Sequence, residues 1–197
     1  MNQKKYTALG PGPTIAKALR RKSLDLCMEI GVFEGATSNL IARHLSKEGK
    51  LICIDPLEDK YITTDISEKT KELNETKWKY FSGQYERFIH NTKDLISSGK
   101  IELIRETSDN AFKKLGNIKN LVDFCYIDGD HRTKAVLKDG INCLAACKVG
   151  GMILFDDYKW GKGDFDCGKG IDIFLNENED NLKILEKNQQ VLVQKIK

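Results

Sequence analysis

Residues 25–35 read Asp25-Leu26-Cys27-Met28-Glu29-Ile30-Gly31-Val32-Phe33-Glu34-Gly35. A short apolar run ends in an acidic residue, Glu29, and the glycines Gly31 and Gly35 follow. Behind them, Ala36–Leu45 carries Leu40, Ile41, Ala42 and Leu45 in a helical pattern. That order predicts a buried strand, a tight turn and a helix N-terminus. Such a turn aims bare backbone N–H groups and the positive end of a helix at an anionic group of a ligand. The stretch is therefore expected to cradle a cofactor.

Working downstream, the pattern repeats. Gly49–Ile54 reads as a second strand ending at Asp55-Pro56, and Ile101–Arg105 as a third, followed by a short helix over Ser108–Leu115. Leu121–Ile127 is the fourth strand, and Asp128-Gly129-Asp130-His131 the turn at its end. A helix through Ala135, Val136, Ile141 and Leu144 comes next, closed by Lys148–Gly151. Met152–Phe155 is the fifth strand and ends in Asp156-Asp157. Tyr158–Gly170 is a loop rich in glycine and aromatic residues, with Tyr158 and Trp160 as candidate walls of an acceptor pocket. A helix begins over Ile171–Leu175, and Leu182–Leu185 and Val191–Ile196 read as two closing strands. Strands alternating with helices predict an α/β fold, a mostly parallel sheet covered on both faces. Such sheets bind ligands beyond the carboxyl ends of their strands, and here those ends carry Glu29, Asp55, Asp128, Asp156 and Asp157.

Upstream, Met1–Pro13 is polar and ends in Gly-Pro-Gly-Pro. Thr14–Lys22 predicts a short helix with Ile15, Ala16 and Leu19 on one side, either a packed leader or a cover over the cofactor. Residues 1–22 are thus expected to be a leader, and 23–197 a single domain. Between Leu57 and Gly99 no strand signal stands out. Trp78, Phe81, Tyr85 and Phe88 recur there at spacings of three, four and three, which predicts an amphipathic helix packed inside or used in a homodimer.

Composition narrows the classes. With 32 basic and 29 acidic side chains the net charge is only +3, too weak by itself to imply nucleic acid or a membrane surface. No apolar run is long enough to span a bilayer, and no signal-peptide core is visible, so a cytoplasmic setting is expected. Cys27, Cys53 and Cys125 fall inside strands, and Cys143 and Cys147 lie one helical turn apart with no second pair near them in sequence. All six cysteines, Cys167 in its loop included, are read as free thiols in a reducing compartment.

A dinucleotide fingerprint needs G-x-G-x-x-G, and its middle glycine is here Phe33. The pattern is instead Glu-x-Gly-x-x-x-Gly, which disfavours an NAD-dependent oxidoreductase. Gly161-Lys162-Gly163 and Gly168-Lys169-Gly170 both lack the spacing of a phosphate loop. From Ser23 onward the chain resembles the class I S-adenosylmethionine-dependent methyltransferases, with Glu29–Gly35 as their first motif. The resemblance implies a Rossmann-like, doubly wound, seven-stranded sheet whose last strand is antiparallel, and S-adenosyl-L-methionine as cofactor. It also implies that Gly31 and Gly35 shape the loop around the methionine end, that Glu29 lies near the amino group, and that Ser38 reaches the carboxylate. Asp55 matches the residue that takes both ribose hydroxyls, a task suited to a carboxylate. Ser108 and Asp109 match the adenine side, although either would also serve as an ordinary helix N-cap. The resemblance also implies that Asp128 borders the cofactor.

Asp128, Asp156 and Asp157 at adjacent strand ends would repel one another unless a cation sits between them. Oxygen-only ligands suit a hard ion such as Mg²⁺, which can lower the pKa of an acceptor hydroxyl. His131, three residues beyond Asp128, is placed to remove the proton, with Asp130 as a candidate to orient it. The set resembles the metal-dependent O-methyltransferases of the catechol and macrolide-sugar types. In the catechol type a metal-binding Asp is followed three residues later by a basic residue acting as base. His131 stands where that type has Lys, and Asp157 where it has Asn; the Asp-Gly-Asp-His turn is more like the sugar-modifying relatives. The expectation is methyl transfer to a hydroxyl of a sugar or other small molecule, with a divalent metal and His131 as base. A metal-free enzyme using His131 alone, or a catalytically silent cofactor-binding subunit, are the alternatives.

Overall fold

The computed structural model describes residues 13–20, 23–58 and 83–197. The polar leader at 1–12 and the Trp78 and Phe81 part of the aromatic stripe lie outside the described residues. In chain order the elements are α1 (Pro13–Leu19), β1 (Leu24–Ile30), α2 (Ala36–Ala42), β2 (Leu45–Ile54), α3 (Gln84–Ser97), β3 (Ile101–Ile104), α4 (Ser108–Leu115) and β4 (Val122–Ile127). Then follow α5 (Thr133–Ala146), β5 (Cys147–Phe155), the two-residue strands β6 (Gly161–Lys162) and β7 (Phe165–Asp166), α6 (Cys167–Glu177), β8 (Leu182–Lys187) and β9 (Val191–Lys195).

The seven long strands form one sheet in the order β3-β2-β1-β4-β5-β9-β8. β1 through β5 are mutually parallel, and β9 runs antiparallel to both of its neighbours. This is the expected Rossmann-like sheet, its last strand reversed. The chain order turns around between β1 and β4, and a crevice at the carboxyl edge follows from that reversal.

Alternation along each strand divides the core in two. Cys27, Leu51, Cys53, Phe124, Tyr126, Met152 and Leu154 face Ile15 and Leu19 of α1, Ile41 of α2 and Phe88 of α3. Met28, Ile52, Cys125, Ile127, Ile153 and Phe155 face Ala111 of α4, Val136 and Cys143 of α5, and Phe174 of α6. All of β4 is buried, as a central parallel strand covered on both sides must be. Full burial of each large apolar side chain contributes about 1.5–3 kcal/mol. All six cysteines are buried free thiols, Cys167 among them.

Three boundaries and one helix face differ from those expected. Leu45 opens β2 instead of ending α2: it pairs with Leu24, and residues 46–49 bulge out before Lys50 pairs with Leu26. The same device separates α5 from β5, because Cys147 already pairs with Val122 and 148–151 loop out before Met152 meets Phe124. Lys148–Gly151 is therefore a strand irregularity, not a helix cap. α6 starts at Cys167, four residues before Ile171, because Asp166 caps it by accepting from the Lys169 amide at 2.9 Å. On α1 the buried partner of Ile15 and Leu19 is Ala18, while Ala16 faces solvent. Thr14 and Lys17 of α1 bond the Glu186 carboxylate at 3.1 and 2.7 Å, so this helix is tied to β8.

Candidate active site at the carboxyl edge

The sheet ladder runs one residue past the strands, and this sets the acidic turns in place. The amides of Gly31, Asp55, Asp128 and Asp156 donate to Ile54, Ile104, Ile30 and Ile127 at 2.9, 3.2, 2.8 and 2.9 Å. The ends of β2, β1, β4 and β5 thus form one continuous rim.

The β1–α2 turn needs its glycines. Gly31 sits at φ +81°, and a Cβ there would overlap the Asp128 carbonyl oxygen across the rim. Gly35 sits at φ +80°, where a Cβ would press on Thr92 and Phe88 of α3. Close approach and left-handed backbone together exclude any side chain. Two further ties hold the loop against α3: Asn91 Nδ2 donates to the Glu34 carbonyl at 2.9 Å, and Arg87 pairs with the buried Glu34 carboxylate. Nothing in the local sequence marks this brace, because its halves lie more than fifty residues apart.

Glu29 is fully buried beneath the turn. Its Oε2 accepts from Ser38 Oγ at 2.6 Å, with Cys53 Sγ at 3.7 Å. Its Oε1 has no hydrogen-bond donor among the described residues. Burial pushes the Glu29 carboxyl up to about 8, partly offset by Ser38 and reinforced by Asp128. Ser38 is thus turned toward Glu29. Asp55 ties the turn to the end of β2: its Oδ2 accepts from the Val32 and Phe33 amides at 2.9 and 3.4 Å, and its Oδ1 from Leu57 at 2.8 Å. Burial raises its pKa, and those three amides oppose the shift.

Ser108 and Asp109 stand at the start of α4, after Thr107 in the N-cap position. Neither is the cap; both reach across to α5. Ser108 bonds Asp139, whose carboxyl burial pushes up to about 7, and Asp109 pairs with Lys138 at 2.6 Å.

On the other side of the crossover, the structure gathers Asp128, His131 and Asp157. One donor atom from each lies within 4.8 Å of the others. His131 Nε2 is 3.6 Å from Asp128 Oδ1 and 3.4 Å from Asp157 Oδ2. Crowding by protein pushes the Asp128 carboxyl up to about 7; His131 opposes the shift, and Asp156 and Asp157 add to it. Asp157 is raised for the same reasons. Asp157 holds φ +55°, a left-handed conformation uncommon outside glycine that Asp tolerates better than most residues. Asp156 points elsewhere, one oxygen accepting from the Tyr126 hydroxyl and the other from the Asp157 amide at 2.8 Å. A hydroxyl inside a strand buried on both faces needs such a partner, so Tyr126 was the sequence signal for this contact. Asp130 is engaged by Arg132, through its amide at 3.0 Å and its Nε at 2.9 and 2.8 Å.

The loop after β5 folds over this cluster as the β6–β7 hairpin. Thr133, the first residue of α5, donates its amide to Asp164 at 2.9 Å and its hydroxyl to the Asp166 carbonyl at 3.0 Å. Trp160 then lies against the His131 ring, centroids 4.6 Å apart and tilted by 52°. The Tyr158 hydroxyl turns away to Asp172 at 3.1 Å.

Comparison with known proteins places this architecture. A family model described as a methyltransferase domain matches residues 28–158. The uncharacterized protein R132 of Acanthamoeba polyphaga mimivirus is 32% identical over 135 residues, which are 67% of this chain and 51% of that protein. The chain therefore spans about half the length of that relative. Among solved structures, the O-methyltransferase of Bacillus cereus in complex with SAH superposes with a TM-score of 0.65 at 15% identity, covering 95% of this chain and 82% of the other. TomG of Streptomyces achromogenes, an O-methyltransferase in tomaymycin synthesis solved with SAM, gives 0.62 at 13% identity, with 93% and 77% covered. The SAH-bound methyltransferase PaMTH1 of Podospora anserina gives 0.60 at 14%, with 93% and 76% covered. At these identities the likeness is one of fold. No helix among the described residues is long and apolar enough to cross a membrane.

Proposed function

This chain belongs to the methyltransferase-domain family, and we propose that it transfers a methyl group from S-adenosylmethionine to a hydroxyl oxygen of a small molecule, a sugar hydroxyl first among the candidates. The observation that carries the reading is the Asp128–His131–Asp157 cluster, set one strand away from the Glu29–Gly31–Gly35 turn. The residues of that turn fit the cofactor. Glu29 Oε1, buried and lacking a donor, suits an ammonium group, which would also restore the ionised carboxylate. Asp55 Oδ1 keeps one acceptor site beyond the three amide bonds on the carboxylate, open to a hydroxyl of the ribose diol. Ser108 and Asp109 would border the adenine.

When bound, the cofactor supplies a methyl carbon on a positively charged sulfur. Methyl transfer would form the new C–O bond as the cofactor's C–S bond breaks, with the neutral thioether S-adenosylhomocysteine as the other product. His131 Nε2 takes the hydroxyl proton, and Asp128 and Asp157 beside it favour the resulting imidazolium. A divalent ion held by the two carboxylates, Mg²⁺ on the expectation from oxygen ligands, would supply a fixed positive charge there. The proton-transfer role needs no ion, so the metal-free reading has its own support in the carboxylates flanking His131.

Calorimetric titration with S-adenosylhomocysteine tests the cofactor. Binding is expected with and without chelator, and no binding in either condition would overturn the reading. Methyl transfer to a panel of sugars and phenols, with and without EDTA, then separates metal-assisted, metal-free and catalytically silent forms.

A further inference from the structure

The donor set at the cluster differs in two respects from the one that favours Mg²⁺. An all-oxygen site would use Asp128, Asp156 and Asp157. In the fold both oxygens of Asp156 already accept hydrogen bonds, from Tyr126 and from the Asp157 amide. The third donor within reach of Asp128 and Asp157 is the imidazole nitrogen of His131.

We infer that Asp128, His131 and Asp157 form a mixed nitrogen–oxygen metal site selective for a divalent first-row transition ion, Mn²⁺ or Co²⁺ among the probes below, over Mg²⁺. The inference rests on the reading of this cluster as the reacting centre, and it specifies the ion and its ligands. The separations of 3.6 and 3.4 Å from Nε2 to the two carboxylates are longer than the usual N–H···O bond of about 2.7–3.2 Å. They are close to the roughly 3.0–3.4 Å that separates two donors each about 2.1 Å from a shared ion. Imidazole suits transition ions, whereas Mg²⁺ holds to oxygen and water. The ring is already positioned: Trp160 packs on it, and the backbone carbonyl of His131 accepts from Cys167 Sγ at 3.8 Å. Trp160 thereby limits the orientation of the ring, and the Cys167 contact holds the His131 backbone. With an ion bound, His131 is a ligand and the ion activates the acceptor hydroxyl; the proton-accepting role of Nε2 belongs to the metal-free form alone.

The test is metal binding by the full chain, stripped of ions, with neither cofactor nor acceptor present. Mn²⁺ binding, read from the loss of the free-ion electron paramagnetic resonance signal, is expected to be about 10-fold or more tighter than Mg²⁺ binding read by competition. Pulsed resonance of the bound Mn²⁺ is expected to show coupling to an imidazole nitrogen, a readout that needs no variant. Co²⁺ is expected to give a visible band that His131→Ala removes. His131→Ala should weaken Mn²⁺ by about 10–100-fold, while Asp156→Asn changes it by less than about 3-fold. Equal affinity for Mg²⁺ and Mn²⁺, absence of nitrogen coupling, or loss of binding in Asp156→Asn would each overturn the assignment. So would failure of all three ions to bind. S-adenosylhomocysteine binding by the same preparation decides the cofactor reading separately.

Discussion

Two halves of one rim are built on opposite principles. At the ends of β1 and β2 the carboxylates are largely engaged by the chain itself. Asp55 takes three backbone amides, Glu29 takes the Ser38 hydroxyl, and one buried Glu29 oxygen has no donor among the described residues. At the ends of β4 and β5, two half-buried carboxylates and an imidazole face one another at distances of 3.4 Å or more, and Asp128 is pushed up to about 7 by crowding and by its acidic neighbours. The first half is held mainly by its own hydrogen bonds and packing. The second sets two carboxylates against one imidazole, a grouping that a proton or a cation would stabilise. A rigid holder beside a chargeable centre is the arrangement that positioning one substrate and activating another requires.

The largest expected effect breaks the first half. Gly31→Ala would place a methyl group against the Asp128 carbonyl at a positive φ, and a loss of about 3–5 kcal/mol of stability is expected. Thermal unfolding would show it; an unchanged melting temperature would mean the two turns are not packed as described. His131→Ala probes the second half. Turnover is expected to fall by about 10²–10⁴-fold with S-adenosylhomocysteine affinity nearly unchanged, and full activity would remove His131 from the chemistry. Asp55→Ala should do the reverse of that pattern, weakening cofactor binding by about 10–100-fold, the worth of hydrogen bonds to a charged group. Calorimetry reads it directly, and intact affinity would cancel the ribose role.

The smallest effect concerns the contact between α4 and α5. Asp139 is buried, its carboxyl pushed up to about 7 by desolvation; Ser108 and Lys138 oppose the shift, and Asp109 and Asp130 add to it. The folded chain therefore holds a proton there that the unfolded chain releases near pH 4. Stability from this group is present at low pH and is lost as pH rises toward 7. Asp139→Asn should flatten that slope, with the melting temperature a few degrees above the unsubstituted chain at pH 8 and near it at pH 4. Parallel slopes in the two proteins would mean that Asp139 is ionised throughout.

Much of this rim was legible in the sequence because parallel strands place their last residues side by side. Once Asp25–Gly35 is read as strand and turn, Asp55, Asp128 and Asp156 fall on the same edge by counting strands. What could not be counted was which oxygen each residue spends on its own fold. The neighbours of Ser38, Asp130 and Asp156 are Glu29, Arg132 and Tyr126, and rotamers and strand pairing decide these contacts. The bulges at 46–49 and 148–151 were hidden for a similar reason, because an irregular register leaves a helix-like or cap-like pattern in one dimension.

By itself the sequence determined the class of fold, the order of strand and helix, and the acidic character of the binding edge. Those depend on periodicities of two and 3.6 and on glycine and aspartate at turns, all local properties of the chain. Only the tertiary structure decided that Asp156 turns toward Tyr126, that Trp160 lies against His131, and that the side chains brought together are Asp128, His131 and Asp157. Each of these contacts joins turns brought together by the sheet, and the energy that selects them comes from burial and charge, quantities that exist only once the chain has folded.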